Sequence, residues 1–230
     1  VDDAKPVDDG GSRAPYDPMP HGPEEVGLGP WEGAWPVGEQ YDEQLLAQGD
    51  RRNVVDRYRY WTMEAIVADL DERRHGFHVA IENWQHDFNI GTIVRTANAF
   101  LAAEVHIVGR KRWNRRGAMV TDRYQHIRHH DTAEDLAAYL HEKSVRLLGI
   151  DNLPGSAHLE TMQLPRSVCF LFGQEGPGLS PGARDAVDGT FSIAQFGSTR
   201  SINASAAAAI AMHTWVREYA DLSGDDAWRG

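Results

Sequence analysis

From residue 76 onward, short apolar runs alternate with stretches in which apolar residues recur every three or four positions. The runs Phe77–Ile81, Val105–Val108, Val145–Ile150, Val168–Phe172 and Thr190–Ile193 predict five strands. The intervening stretches predict helices over 90–102, opened by Asn89, and over 133–142, 179–187 and 201–219. Strands that alternate with helices imply an α/β fold, a mainly parallel sheet flanked by helices on both faces. Ahead of this body, residues 41–74 are dense in helix formers, with Gly49 the only glycine and no proline. One or two helices are expected there, with Tyr58, Trp61, Ile66 and Leu70 on one face. Residues 1–40 are rich in Pro, Gly, Asp and Glu and show no sustained periodicity, which predicts a leader without its own core. Trp31 and Trp35 are unusual for a linker and are expected to dock it onto a surface. The expected organisation is a leader over 1–40, a helical extension over 41–75, an α/β domain over 76–220 and a tail over 221–230.

Charge changes the picture. The net charge of −11 argues against a nucleic-acid partner until it is divided along the chain. Residues 1–50 hold twelve acids against two bases, Lys5 and Arg13, leaving 22 acids against 21 bases in the rest. The acidity belongs to the leader. Within the nearly neutral body, Arg110, Lys111, Arg112, Arg115, Arg116, Arg123 and Arg128 fall in one stretch with Asp122 as its sole acid. Such a block is an electrostatic footprint for an anionic partner, here RNA, with Trp113 and Tyr124 as stacking candidates. The histidines His126, His129 and His130 in this stretch are expected to be solvated or phosphate-contacting, not metal ligands. No apolar run approaches the roughly 18 residues of a membrane span. Acids stand at the start of the chain where a signal peptide carries bases, so a cytoplasmic location is expected. The sole cysteine, Cys169, lies in an apolar run and reads as a buried, reduced thiol.

Three segments carry candidate chemistry, each at the carboxyl end of a predicted strand, where open α/β sheets bind ligands. The first runs from Asn89 through Gly91 to Arg95 and Thr96; Asn89 could equally be a helix cap and Arg95 a solvated residue. The second, Phe172-Gly173-Gln174-Glu175-Gly176-Pro177-Gly178-Leu179, sets three glycines around one carboxylate. Glycine permits close backbone approach to a ligand, although a tight turn with an acid at a helix start would look similar. Neither the dinucleotide fingerprint nor the phosphate-loop pattern fits these glycines. The third runs from Ile193 through Gly197 to Ser201-Ile202-Asn203-Ala204-Ser205 and an alanine run. It suits either a capped, closely packed helix or a helix beside a bound ligand.

In this order the segments resemble the SpoU/TrmH family of S-adenosylmethionine (AdoMet)-dependent RNA ribose 2′-O-methyltransferases. The pattern Asn-x-Gly-x-x-x-Arg-Thr matches 89–96, and Phe-Gly-x-Glu-x-x-Gly-Leu matches 172–179. An Ile-Pro-Met-x-Gly segment leading to Ser-Leu-Asn-x-Ser matches 193–205, with Ala194-Gln195 replacing Pro-Met and Ile202 replacing Leu. The resemblance covers about 76–219. It implies a SPOUT-type fold with a C-terminal deep trefoil knot, a rare exception to unknotted chain paths. It also implies AdoMet bound at Ile150, Gly173, Ile193, Gly197, Ser201 and Ile202, S-adenosylhomocysteine as product, no metal, and a homodimer whose site draws on both subunits. Arg95 is then the key catalytic residue, with Asn89, Glu175, Ser201 and Asn203 around it.

A guanidinium stays protonated in proteins, so Arg95 is expected to grip a phosphate and stabilise the developing 2′-oxyanion instead of abstracting the proton. A compact substrate such as a tRNA stem-loop is favoured over ribosomal RNA. A non-catalytic RNA-binding protein on the same scaffold, a small-molecule α/β enzyme and a base methylase are the competing readings.

Overall fold

The computed structural model describes residues 27–84 and 89–223. The chain divides into two compact units, one ending at Trp61 and the other beginning at Thr62. In the first, helix α1 (Glu43–Gln48) starts at Asp42, whose carboxylate accepts from the Gln44 and Leu45 amides. The fully buried Asp50 organises this unit: it accepts from Arg52 Nε and Nη2 and from the Tyr60 amide, which hold its carboxyl down to about 2. Trp31 docks edge-on against Tyr60, 5.3 Å between centroids. The unit boundary cuts the expected helical stretch. Tyr58 and Trp61 belong to the first unit, whereas Ile66 and Leu70 lie on helix α2 (Met63–Asp71) of the second, so they share no helix face.

The second unit carries strands β1 (Phe77–Asn83), β2 (Val105–Gly109), β3 (Ile127–His130), β4 (Arg146–Ile150), β5 (Ala157–His158), β6 (Val168–Phe172) and β7 (Gly189–Ser192). They pair in the order β3-β2-β1-β6-β4-β7-β5, every pairing parallel. Helices α3 (Asn89–Ala99) and α6 (Ala204–Tyr219) cover one face, where Ile90, Ile93, Met212 and Trp215 pack on Val79, Ile81 and Phe170. Helices α4 (Ala133–Glu142) and α5 (Pro181–Ala186) cover the other, where Leu136, Leu140 and Ala183 meet Ala80, Cys169 and Leu171. Burial on both faces is what makes β6 continuously apolar in sequence, whereas β1 and β2 also bury His78, Glu82 and His106. From β1 the chain builds outward through β2 to β3, then crosses to the other side of the sheet. Registers Ile81↔Phe172, Ile150↔Phe172 and Ile150↔Phe191 bring four strand ends level beside this switch point, where ligands of such sheets bind.

All five expected strands are present. Two more were not read: β5, a two-residue edge pairing, and β3, inside the basic stretch. Strand β3 is hidden because its inward position is a histidine. His130 is buried, and His106 Nδ1 lies 3.0 Å from His130 Nε2 while His106 Nε2 lies 3.1 Å from His78 Nδ1. Three neutral rings, each with one N–H and one bare nitrogen, satisfy both contacts. His130 is therefore not solvated. His129 is half-buried against the Gly109 carbonyl, and only His126 is exposed, paired with Asp71.

Burial pushes His78 down from 6.5 to about 4, against the pull of Glu104 and with the push of Lys143 and Arg128; His106 and His130 are lowered by burial too. Glu104 is likewise held low, by Tyr139 and Arg128 against its burial. A histidine lowered on folding leaves the unfolded chain binding more protons. Its stabilisation is complete above its unfolded value and is lost as pH falls toward the folded one. From His78 alone, on the order of 2 kcal/mol should disappear between pH 8 and pH 5. Urea unfolding across that range should show the decline, and His78→Gln should flatten it. A profile level from pH 7 to pH 5 would refute the buried neutral seam.

Candidate active site

Helix α3 begins at Asn89, β6 runs into the Gly173–Gly178 turn, and Asn203 caps α6. Side chains from all three meet. Asn203 Oδ1 accepts from the Ser205 and Ala206 amides and from Ser205 Oγ, which fixes the amide plane. Its Nδ2 then donates to Asn89 Oδ1 at 2.8 Å, and Asn89 Nδ2 donates to Glu175 Oε2 at 2.9 Å. The three segments singled out in sequence are thus joined by two hydrogen bonds spanning 114 and 86 residues.

Beside this chain lies a cleft of about 270 Å³. Of the expected cofactor residues, Ile150, Gly173, Ile193, Ser201 and Ile202 line it, together with Glu175 and Asn203. Gly197 does not; it is exposed, with no atom within 4 Å of where a Cβ would stand. Arg95 is also absent from the lining. Its side chain is exposed and makes no hydrogen bond or ion pair with another described residue. Six residues along a helix turn the side chain to roughly 120° from Asn89, which accounts for the separation.

Sequence reasoning missed Asp151, Asn152 and Gln195, which also line the cleft. Asp151 holds the glycine turn: Oδ2 accepts from the Leu179 amide at 2.9 Å, and Oδ1 from the Asn152 amide at 2.7 Å. Asn152 Nδ2 donates to the Arg200 carbonyl at 2.9 Å, tying this loop to the one before α6. The available signal was a polar Asp-Asn pair directly after a buried strand.

All seven basic candidates are exposed. Asn83 Nδ2 donates to the carbonyls of Arg110 and Arg112 at 2.7 and 2.8 Å, fastening the block to the end of β1. Lys111, Arg115, Arg123 and Arg128 line a second cleft of about 430 Å³. Arg115 pairs with Asp122 at 3.5 Å, and Arg128 with Glu104 at 2.5 Å. Trp113, expected to stack on bases, packs partly buried against the core instead. His78, Glu104 and His106 are spaced to share a cation, their ligand atoms 3.1 to 3.8 Å apart. Both Glu104 oxygens already accept: Oε1 from Arg128, whose guanidinium neutralises the carboxylate, and Oε2, which faces the histidines, from the Tyr139 hydroxyl.

The model of the SpoU rRNA methylase family matches residues 76–213. The chain belongs to this family. Among relatives of this SpoU protein, the Escherichia coli tRNA (guanosine(18)-2′-O)-methyltransferase is 26% identical over 156 residues, covering 66% of the chain and 68% of the relative. An uncharacterised tRNA/rRNA methyltransferase of Mycobacterium bovis is 28% identical over 171 residues, covering 71% and 52%. In structure it is similar to the A. aeolicus TrmH/SpoU tRNA modifying enzyme, with a TM-score of 0.60 and 19% identity over 68% of this chain and 81% of that one. It is also similar to the SpoU methyltransferase AviRb from Streptomyces viridochromogenes in complex with AdoMet, at 0.56 and 23%, covering 65% and 60%. At such identities the likeness is one of fold. The SpoU match spans the whole sheet from β1 and most of α6, and so contains all three linked segments.

Proposed function

We propose that the chain transfers a methyl group from AdoMet to a ribose 2′-hydroxyl of RNA, with tRNA favoured. The observation that carries this reading is the Asn203–Asn89–Glu175 chain, which ties the three family motifs together beside one cleft. The cleft suits the cofactor: Ile150, Ile193 and Ile202 offer apolar walls for an adenine, and Asp151 and Glu175 offer carboxylates to a cationic ligand. When bound, AdoMet supplies an electrophilic methyl carbon on its sulfonium. The 2′-oxygen would take this carbon as its bond to sulfur is given up, which would leave S-adenosylhomocysteine as the product. The protein must align the three atoms and favour the alkoxide as it develops. Asn89 and Glu175 organise the acceptor side, while Ser201 and Asn203 shape the cofactor loop. Arg95 grips the adjoining phosphate and stabilises the oxyanion, and the proton passes to a phosphate oxygen or to water.

Arg95 stands away from the cleft and has no partner among the described residues, which supports a homodimer in which it serves a site completed by the second subunit. The basic block gives the RNA backbone its docking surface. The E. coli relative, a tRNA 2′-O-methyltransferase, supports tRNA over rRNA. The trefoil threading and a cytoplasmic location belong to the same reading. No helix among the described residues is long and apolar enough to cross a membrane.

The test compares ribose-methylation maps of RNA from cells with and without the gene, alongside methyl transfer to tRNA and rRNA by the purified protein. One 2′-O-methyl site lost in the deletion and restored by the gene is the expected result. Label found on a base, or AdoMet binding without transfer to either RNA, would overturn it.

A further inference from the structure

Of the exposed aromatic residues Trp31, Trp35, Trp84 and Phe196, Trp84 is held both to the glycine turn beside the cleft and against the strand end that leads into the basic block. Trp84 follows directly on β1 and is 36% exposed. Its amide donates to Gln174 Oε1 at 3.2 Å, one residue before Glu175. Its indole Nε1 donates to Glu82 Oε1 at 2.9 Å, and the other oxygen of that fully buried carboxylate accepts from the Ser180 amide at 2.8 Å. The benzo half of the ring lies directly on Gly109: a Cβ there would fall 2.8 Å from two of its carbons. Arg110 comes next in the chain, its amide donating to the Asn83 carbonyl at 2.9 Å. The indole is therefore fixed at Nε1 by Glu82 and along its benzo half by Gly109, the residue before the first cation of the basic block, while the Trp84 backbone is tied to the Gln174–Glu175 turn.

The geometry points to Trp84 as a stacking platform for an unpaired base of the RNA, at or next to the methylated nucleotide. This rests on the reading of the chain as an RNA methylase. A ribose whose 2′-oxygen must reach a recessed methyl group has to leave regular helical stacking, and its base or its neighbour's then needs a new partner. Phosphates drawn to Arg110, Lys111 and Arg112 on one side and a ribose at Glu175 on the other place a base over the ground between them, which Trp84 occupies. An aromatic surface there holds any base, since each has a π-face, and contributes positioning without reading sequence. Trp113 is partly buried against the core and already carries the Arg115 guanidinium over its ring.

The test uses Trp84→Leu and Trp84→Phe in the full chain. Both lose the bond to Glu82, so any structural cost is common to them, and only Phe keeps an aromatic face. Fluorescence anisotropy with a labelled single-stranded RNA oligonucleotide and with unfractionated tRNA gives affinity; calorimetry gives AdoMet binding. Leu should weaken binding of both RNAs about tenfold and Phe no more than about threefold. AdoMet affinity should match the parent protein in each. Phe and Leu binding RNA equally, whether at full or at reduced strength, would overturn the proposal. If the parent protein neither takes up AdoMet nor transfers methyl groups while RNA binding still separates Phe from Leu, the methylase reading fails and the platform stands.

Discussion

Arg95→Ala should lower the rate of RNA methylation by about a hundred- to a thousandfold, the cost of removing one preorganised donor at a developing oxyanion. AdoMet binding should stay within about twofold of the parent protein, because Arg95 does not line the cleft. The ribose hydroxyl is a poor nucleophile until its proton leaves. The barrier therefore carries the cost of negative charge appearing on oxygen. A guanidinium cannot take that proton, being charged throughout the accessible pH range, but its planar fork can bind a phosphate oxygen and the nascent alkoxide together. Lysine offers the charge without the fork, so Arg95→Lys should recover little of the lost rate. Single-turnover methylation under saturating AdoMet, with cofactor affinity measured separately, distinguishes the possibilities. An Arg95→Lys enzyme near parental turnover would remove the fork from the mechanism. An Arg95→Ala protein unable to bind AdoMet would move Arg95 into the cofactor site.

That side chain also shows where sequence reading stops. Arg95 came from its place in a motif, and the exposed helix position it occupies would never distinguish it from a solvated arginine. For Asn89, Glu175 and Asn203 the sequence offered more, since their segments follow strands whose ends the sheet brings together. But Asn89 and Asn203 read equally well as helix caps, and their place in one site came from the same motifs. Strands such as Val168–Phe172 announce themselves because both faces are covered, whereas Gly189–Ser192 is largely half-buried and shows only in its β-branched and aromatic residues. Strand β3 was not read, because its inward surface is spent on His130 in a polar seam that looks like loop chemistry from the sequence. Neither the strand order nor the pinning of the glycine turn by Asp151 is written locally. Both depend on a partner that arrives many residues later. Trp84 escaped for a related reason: its significance lies in Gly109 and Gln174, which only the fold places against it.

Gly173→Ala should abolish measurable AdoMet binding, an expected loss of well over tenfold, and lower the stability of the fold by about 1–3 kcal/mol, as overpacking does. The reason is space, not backbone conformation. A Cβ on Gly173 would stand 2.0 Å from the Gly178 carbonyl carbon and 2.2 Å from the Leu179 nitrogen. These are backbone atoms, so no rotamer change relieves the clash. The turn itself must open, although the Gly178 amide holds it to the Gln174 carbonyl at 3.1 Å and Asp151 holds Leu179. Opening it moves Gln174 and Glu175, both in the cleft wall, and breaks the Asn89 contact that links the motifs. Gly197→Ala supplies the comparison. That glycine also lies in a motif segment, yet nothing stands within 4 Å of its Cβ position and it lies outside the cleft, so cofactor affinity and melting temperature should not move. Calorimetric titration with AdoMet and thermal melts of both variants decide the matter. Parental affinity in Gly173→Ala would mean the turn is not part of the cofactor site, and the cleft would need another occupant.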